Sequence, residues 1–293
     1  MSRLLTSAAV AGTLTFGLAA CGDAAQDTSS AEPAQSSGAK PAQKEVAPAA
    51  RLQNAAKAVQ QQASAKVSVD SVDPADGTTK AEGTLSWKAG SEGAELSMAP
   101  GSDADLQAMA GPDGKVHMTM ASGHVYLPVV GEMAEAAGGK KWLQLDGSAG
   151  QDNPANDLPH GPAAALAALS TAADLAKAGE EQVAGAETAH YTGTVDIKKL
   201  AADTAVLKLI SKDERDAYVK ELHSTGLNDT VKIEAWIGGD DLAVKTLETG
   251  TTAKGPSKVA ITYSGYGRTA AIEAPPAKDV TTFAEMLQSA AKG

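Results

Sequence analysis

The sequence predicts an α+β fold in which a strongly curved antiparallel sheet, a half-barrel, wraps around helices. Three observations support this prediction. Roughly ten short segments alternate apolar and polar residues with a period of two, as half-buried strands do. Helical segments stand apart from these runs instead of alternating with them, which is typical of α+β domains. Short turns join consecutive strands, and a meander of that many twisted strands curves.

The first half of the folded region is a helix followed by strands. Pro48–Ala65 carries apolar residues at helical spacing, and Pro48 suits a first helical turn. Asp76-Gly77 then marks a turn, and Ala121-Ser122-Gly123 joins two strands as a hairpin. The strands predicted here are 66–72, 79–88, 94–98, 115–120, 124–129 and 141–146.

The second half contains three further helices, predicted over 163–177, 198–223 and 280–291. Gly238-Gly239-Asp240-Asp241 is a strong hairpin turn, and Pro275-Pro276 ends the sheet. The strands predicted here are 190–196, 230–238, 242–248, 258–263 and 269–274.

The single cysteine, Cys21, directly follows Leu18-Ala19-Ala20 at the end of a short apolar stretch. Arg3 precedes this stretch, so residues 1–20 have the layout of a secretory signal peptide. Leu-Ala-Ala-Cys resembles the lipobox of bacterial lipoproteins, in which the cysteine sulfur is lipidated. An ordinary signal peptide with an incidental cysteine is the alternative. A membrane-spanning helix would need about 20 apolar residues and is not favoured.

Residues 21–47 are rich in Ala, Ser, Gln, Gly and Pro, which predicts a lipidated cysteine followed by a flexible linker. The remaining residues, 48–293, are enough for one large domain. We therefore expect an exported protein that is held by its lipid anchor on the outer face of the cell membrane.

Composition excludes several classes of protein. With 36 acidic and 25 basic residues the chain is acidic, and it has no basic cluster for nucleic-acid binding. Its five histidines lack metal-ligand spacing, so we expect no metal site. No nucleotide-binding or nucleophile motif occurs, so neither a cofactor nor catalysis is expected.

Four segments together indicate a family. Gly185–Asp196, Glu234–Lys245, Ile261–Gly267 and Gly139–Asp146 follow one another behind the lipobox, each with one or more aromatic residues in a strand or turn. This succession resembles the LppX/LprG-type lipoproteins of actinobacteria, whose domain is similar to the LolA lipoprotein carrier. The resemblance extends over nearly the whole folded region.

The resemblance implies a LolA-like half-barrel with an apolar cavity between sheet and helices. It further implies a monomeric lipoprotein, not an enzyme, that binds a lipid or glycolipid and transfers it across the envelope. The partners would be that ligand, the membrane that holds the lipidated N-terminus, and an envelope transporter.

Residues on the inward faces of the predicted strands are the candidates for lining such a cavity. Methionine suits this role because its unbranched side chain adapts to varied acyl shapes. Apolar alternation marks burial in general, so the same residues would serve equally as plain core. The candidates are Leu85, Trp87, Met98, Met118, Met120, Leu127, Val231, Ile233 and Ile237.

A second hypothesis keeps the fold but not the cargo. The chain is rich in Ala and poor in Phe, so its own side chains would fill the cavity. The protein would then be a membrane-tethered interaction or regulatory module with a protein partner.

Overall fold

One sheet of twelve strands is the framework of the computed structural model, which describes residues 46–74, 77–88, 90–101, 104–131, 133–145, 161–268 and 271–290. The strands are β1 (Ser64–Asp73), β2 (Gly77–Ser86), β3 (Gly93–Met98), β4 (Val116–Ala121), β5 (His124–Pro128), β6 (Trp142–Leu145), β7 (Ala176–Val183), β8 (Ala186–Asp196), β9 (Thr230–Gly238), β10 (Ala243–Thr252), β11 (Gly255–Ser264) and β12 (Val280–Thr282). Their spatial order is β12-β6-β5-β4-β3-β2-β1-β11-β10-β9-β8-β7. Neighbours are antiparallel except β12 and β6, so the sheet is an open meander with edges at β12 and β7.

Seven helices accompany the sheet in the described part of the chain. They are α1 (Pro48–Gln62), α2 (Ala104–Ala108), α3 (Met133–Ala136), α4 (Ala163–Leu169), α5 (Ile197–Ala202), α6 (Lys212–Ser224) and α7 (Phe283–Ala290). Within the described ranges, none of them has both the length and the apolar composition needed to cross a bilayer.

Local sequence signals set the ends of these helices. Pro48 lies in the first turn of α1, and Ala63 ends that helix in the left-handed conformation (φ 60°). A capping box begins α6: the Ser211 hydroxyl accepts from the Glu214 amide, and the Glu214 carboxylate accepts from the Ser211 amide. These contacts satisfy backbone donors that the first helical turn leaves unpaired.

Tight turns account for the hairpins that the sequence predicted. Ser122 and Gly123, between β4 and β5, both have positive φ (54° and 75°). This pair of values is typical of the two-residue turns that match the twist of antiparallel strands. The predicted hairpin turn at residues 238–241 likewise connects β9 and β10.

The sheet curls around α4. All seven residues of α4 are buried, and none is more than 6% exposed. Residues at both ends of the sheet, such as Val125 on β5 and Val195 on β8, belong to the same apolar core as α4. Eight strand intervals separate β5 from β8, about 38 Å in a flat sheet, whereas a helix is about 10 Å wide. The sheet must therefore bend around the helix, which confirms the predicted half-barrel.

The face of the sheet that covers the helices is called the concave face below, and the opposite one the convex face. The concave face holds the main core together with α1, α4, α5 and α6. A smaller apolar cluster lies on the convex face of β4 and β5, where Ile272 of the C-terminal segment packs against Ala121 and Tyr126. Residues 45–293 form one compact unit of the chain.

Several predicted elements differ from the observed ones. The predicted helix 163–177 ends at Leu169, because the Ser170 and Thr171 hydroxyls donate back to carbonyls of the last turn. Edge strand β7, which the sequence did not predict, follows. The predicted helix 198–223 is divided into α5, a 3-10 turn (Val206–Lys208) and α6.

The C-terminal prediction was also partly wrong. Residues 271–274, predicted as part of a strand over 269–274, have no regular structure, and 269–270 lie outside the described residues. The predicted helix over 280–291 begins only at Phe283, since residues 280–282 form β12 beside β6.

The burial of α4 predicts the effect of truncating its side chains. Leu166 is fully buried, so Leu166→Ala should lower the free energy of unfolding by about 2–5 kcal/mol. Leu207, which is 37% exposed, is the matched control, and Leu207→Ala should cost about 0.5 kcal/mol or less. Urea unfolding of both variants measures the difference. Equal losses would contradict the enclosure of α4.

Candidate functional site

The structure places all nine predicted cavity residues on the concave face. Strand register shows this directly: Leu85 lies opposite Ala94, which lies opposite Met120. Three of the nine, Trp87, Met98 and Met118, are half-buried. The other six are buried in the main core, namely Leu85, Met120, Leu127, Val231, Ile233 and Ile237. Contact of any of them with a ligand stays a prediction.

A row of apolar side chains, called the concave stripe here, runs across five neighbouring strands of this face. Ile261 on β11 lies opposite Val69 on β1, which lies opposite Ala81 on β2, which lies opposite Met98 on β3. Met118 on β4 extends the row by one strand, diagonally to Met98, because Val116 is the residue opposite Met98. All but Ala81 are half-buried, and the row is about 19 Å long at the usual strand spacing. Such a row would gain free energy from contact with an apolar ligand.

A small cavity continues from this stripe. It has a volume of about 40 Å³ and lies between α6 and the concave faces of β10 and β11. Tyr218 and Leu222 line it from α6, Val259 and Ile261 from β11, and Glu248 from β10. This volume holds a few water molecules, so side chains already fill most of the interior beneath α6.

A polar cluster of three buried side chains and the half-buried Glu248 lies in the wall of the cavity. The Tyr218 hydroxyl donates to Oε1 of Glu248 at 2.7 Å, and the Thr246 and Tyr263 hydroxyls are 3.2 Å apart. Burial raises the pKa of Glu248 to about 7, although the bond from Tyr218 opposes this rise. Burial also raises the pKa of Tyr218 and of Tyr263. The carboxyl can therefore change its charge near neutral pH.

No sequence motif marks this cluster, but strand alternation contains the signal. Thr246, Glu248 and Gly250 share one face of β10, and Glu248 lies between Ile233 on β9 and Val259 on β11. A carboxylate at an inward position of a central strand is unusual, because burial penalises its charge. Once the register of the hairpin is known, its inward position identifies Glu248 as a candidate site residue.

Three aromatic rings form a row at one end of the sheet. The Tyr266 ring lies 6.2 Å from both the Trp87 and the Tyr263 rings. The Tyr266 hydroxyl donates to the Ala243 carbonyl at 2.7 Å, and the Trp87 indole donates to the Val59 carbonyl at 3.1 Å. Tyr263 also borders an outer cleft of about 680 Å³ at this end. The row therefore lies between the cavity and that cleft.

His190 belongs to a separate cluster on the convex face. Its Nε2 is 2.8 Å from the Glu234 carboxylate, and its ring stacks on Trp236 at 4.2 Å. The Trp236 indole donates to Glu181 on β7, and the Lys245 amine lies 4.4 Å above the Trp236 ring. His190 is thus a sheet residue with satisfied hydrogen bonds. The cluster fastens edge strand β7 to its neighbours.

The other histidines were weighed as metal ligands. His124 pairs with Ala121, whereas His117 lies further along β4 and contacts Asp113 at 2.9 Å, so the two histidines are not opposite each other. Across the described ranges, no three His, Cys, Asp or Glu side chains are grouped as a metal site would require. Cys21 and His160 lie outside the described residues.

The fold and the concave stripe together define a class of protein: an open half-barrel domain with an apolar inner face. No protein-family model matches the chain. The chain is 31% identical over 250 residues to an uncharacterized 31.2 kDa protein from the rplA-rplJ intergenic region of Streptomyces griseus. The aligned region covers 80% of this chain and 80% of that protein. It belongs to the same family as this Streptomyces protein.

Other proteins are similar to this chain at lower sequence identity. A Streptomyces coelicolor protein named as a candidate lipoprotein is 26% identical, over 80% of this chain and 74% of its own. The chain is also similar to the crystal structures of LprF from Mycobacterium bovis (16% identity, 78% and 96% coverage, TM-score 0.47) and lipoprotein LppX from Mycobacterium tuberculosis (15%, 78% and 98%, 0.44). LppX is a lipoprotein of the type that the sequence motifs resemble.

The half-buried carboxyl of Glu248 predicts how stability depends on pH. The pKa of Glu248 is about 7 in the folded chain and near 4.5 in an unfolded one. The folded state therefore binds the proton more tightly, and its advantage, complete below pH 4.5, is lost as the pH rises through 7. The free energy of unfolding should fall by about 3 kcal/mol over this window.

Glu248→Gln keeps the acceptor for Tyr218 but cannot ionise, so this contribution to the pH dependence should vanish. Urea unfolding between pH 4.5 and 8 measures it. Glu82→Gln, at an exposed position of β2, is the control and should follow the parent protein. Parallel curves for the parent and Glu248→Gln would show that Glu248 does not titrate in this window.

Proposed function

We propose that this protein is a cell-envelope lipoprotein that binds a lipid or glycolipid on the concave face of its sheet. It would carry this cargo across the envelope or deliver it to an envelope transporter. One observation carries the proposal: the concave stripe keeps apolar side chains half-buried on four of five adjacent strands, beside a cavity. Binding of this kind requires no residue to react chemically.

The energetics favour an acyl chain as the bound group. Each methylene removed from water contributes about 0.8 kcal/mol, and the half-buried side chains of the stripe would lose their own contact with water. Two of them, Met98 and Met118, are methionines, which adapt to ligands of different shape. The cavity holds only a few water molecules, so a chain would lie along the stripe and displace side chains beneath α6.

Lipid binding can be tested on residues 22–293, which lack Cys21 and so carry no covalent lipid. Native mass spectrometry with lipid extraction should detect a stoichiometric phospholipid or glycolipid. Ile261→Gln places an amide on the stripe and should weaken binding about tenfold, because an unpaired amide costs about 1–3 kcal/mol.

The neighbouring variant Thr262→Gln is the control for that experiment. Thr262 lies on the same strand at similar exposure but points to the convex face, opposite Ser68 and Lys245. Its lipid content should match that of the parent. Protein that contains no lipid and does not bind added diacylated lipids would contradict the proposal.

The tether is part of the same proposal. Leu18-Ala19-Ala20-Cys21 resembles a lipobox, and the Streptomyces coelicolor relative is named as a candidate lipoprotein. Lipidation of Cys21 would hold the domain on the outer face of the membrane through the linker.

Cys21→Ala should move the protein from the membrane fraction to the soluble or unprocessed fraction, because stable anchoring needs two or more acyl chains. Fractionation followed by immunoblotting measures this. If the Cys21→Ala variant is still processed and stays in the membrane fraction as the parent does, lipidation at Cys21 would be refuted.

One observation favours a second function. Side chains fill most of the space beneath α6, and the cavity there is only about 40 Å³. A domain with a filled core would act as a membrane-tethered interaction or regulatory module. Lipid-free protein that copurifies with one specific envelope protein would favour this function over lipid carriage.

A further inference from the structure

Helix α7 exposes two large apolar side chains on one side. Phe283 is 51% exposed and Leu287 is 70% exposed. They lie four residues apart, so they share one side of the helix. Met286 is buried, and α7 packs against α3, β6 and β12, so the helix is part of the domain. Phe283 and Leu287 are called the α7 patch below.

No other element of the described ranges exposes two such residues. The remaining exposed large apolar side chains are Val46, Val72 and Leu207, each in a different segment. Single exposed apolar residues are normal on protein surfaces, whereas a contiguous pair indicates contact with an apolar surface. The α7 patch exposes roughly 200 Å², about a quarter of the 800 Å² that each partner buries in a stable protein interface. It therefore suits insertion into lipid better than pairing with a second copy.

Three lysines share this corner of the domain. Lys140 and Lys141 directly precede β6, and Lys278 lies two residues before β12. The two strands are parallel, so both begin at the same end, and the Lys140 amine donates to the Lys278 carbonyl at 2.7 Å. Helix α3, against which α7 packs, ends four residues before Lys140. These three residues are called the lysine cluster below.

Carboxylates balance the lysine cluster without exceeding it. They are Glu135 on α3, Asp279 before β12 and Glu285 on α7. Glu285 accepts from the Thr282 amide at 3.1 Å, at the start of α7. Three lysines and three carboxylates cancel, whereas the whole chain has a net charge of -11. This corner therefore approaches anionic lipid without the repulsion that the acidic surface as a whole would meet.

The predicted tether would keep this corner within reach of a membrane. A flexible linker over residues 21–47 has a mean end-to-end distance of about 25–30 Å. A lipidated Cys21 would hold the domain so close to the bilayer that a weak second contact suffices. This step rests on the proposed function, whereas the α7 patch and the lysine cluster do not.

We propose that the α7 patch is a membrane-contact site: Phe283 and Leu287 insert among lipid headgroups, and the lysine cluster meets lipid phosphates. Lysine suits this position because its apolar stem follows the apolar surface while its amine stays in water. The contact turns the β6–β12 edge of the sheet toward the bilayer. Met118, at one end of the concave stripe, lies two strands from β6, about 10 Å away. A lipid that leaves the membrane would meet the stripe there.

Cosedimentation with vesicles tests the patch on residues 22–293, which lack Cys21 and contain the whole compact unit. The parent should bind vesicles of equal parts phosphatidylcholine and phosphatidylglycerol. Phe283→Gln/Leu287→Gln should bind about tenfold more weakly, because the apolar burial is lost. Val72→Gln/Leu207→Gln, at exposed apolar positions elsewhere, is the matched control and should bind like the parent.

The lysine cluster has its own readout. Lys141→Gln/Lys278→Gln should weaken binding to these anionic vesicles about thirtyfold and leave binding to pure phosphatidylcholine unchanged. Lys254→Gln/Lys258→Gln, at exposed positions in and after the β10–β11 turn, is the control. A parent that does not bind vesicles, or equal losses in the patch and control variants, would overturn the membrane contact. A dimer that Phe283→Gln/Leu287→Gln disperses would overturn it too, because a second copy would then cover the patch.

Two measurements on the same variants separate this contact from the proposed function. Ile261→Gln should bind vesicles like the parent, and Phe283→Gln/Leu287→Gln should keep the parent's lipid content in native mass spectrometry. Lipid-loaded protein that does not bind vesicles overturns the membrane contact and leaves lipid binding in place. Lipid-free protein whose vesicle binding depends on the α7 patch does the reverse.

Discussion

The enclosure of α4 is the constraint on which the rest of the structure depends. A helix made of alanine and leucine alone has no polar side to present to water, so it must be covered all round. A flat sheet covers one side of a helix. The twelve-stranded meander solves this by curling, with α1 and α6 closing the remaining sides. The curvature of the sheet and its concave face both follow from the need to bury α4 on all sides.

The same constraint explains which parts of the fold could be predicted. Strands that border the core alternate cleanly, and tight turns such as Ser122-Gly123 mark the hairpins, so most strands were predicted correctly. Strand β7 lies at a free edge, and most of its residues are exposed. Its sequence, AKAGEEQV, has no apolar face, so its position beside β8 decides its structure. Sequence periodicity could not reveal it.

The candidate site, like the fold, could be predicted from the sequence only in part. The inward position of the nine predicted residues follows from alternation within each strand, and the register confirms that they share a face. Their exposure depends on which helix lies above them, which no local pattern encodes. The partner of Glu248, Tyr218, is 30 residues away in sequence. A polar contact between a helix and a distant strand is visible only in three dimensions.

The central claim is that an acyl chain lies along the concave stripe. A crystal structure of the lipidated protein purified from its own membrane tests it most directly. Acyl-chain binding predicts continuous density along Ile261, Val69, Met98 and Met118, with its end beneath α6. A groove occupied only by the protein's own side chains, in a crystal grown with excess diacylated lipid, would contradict it.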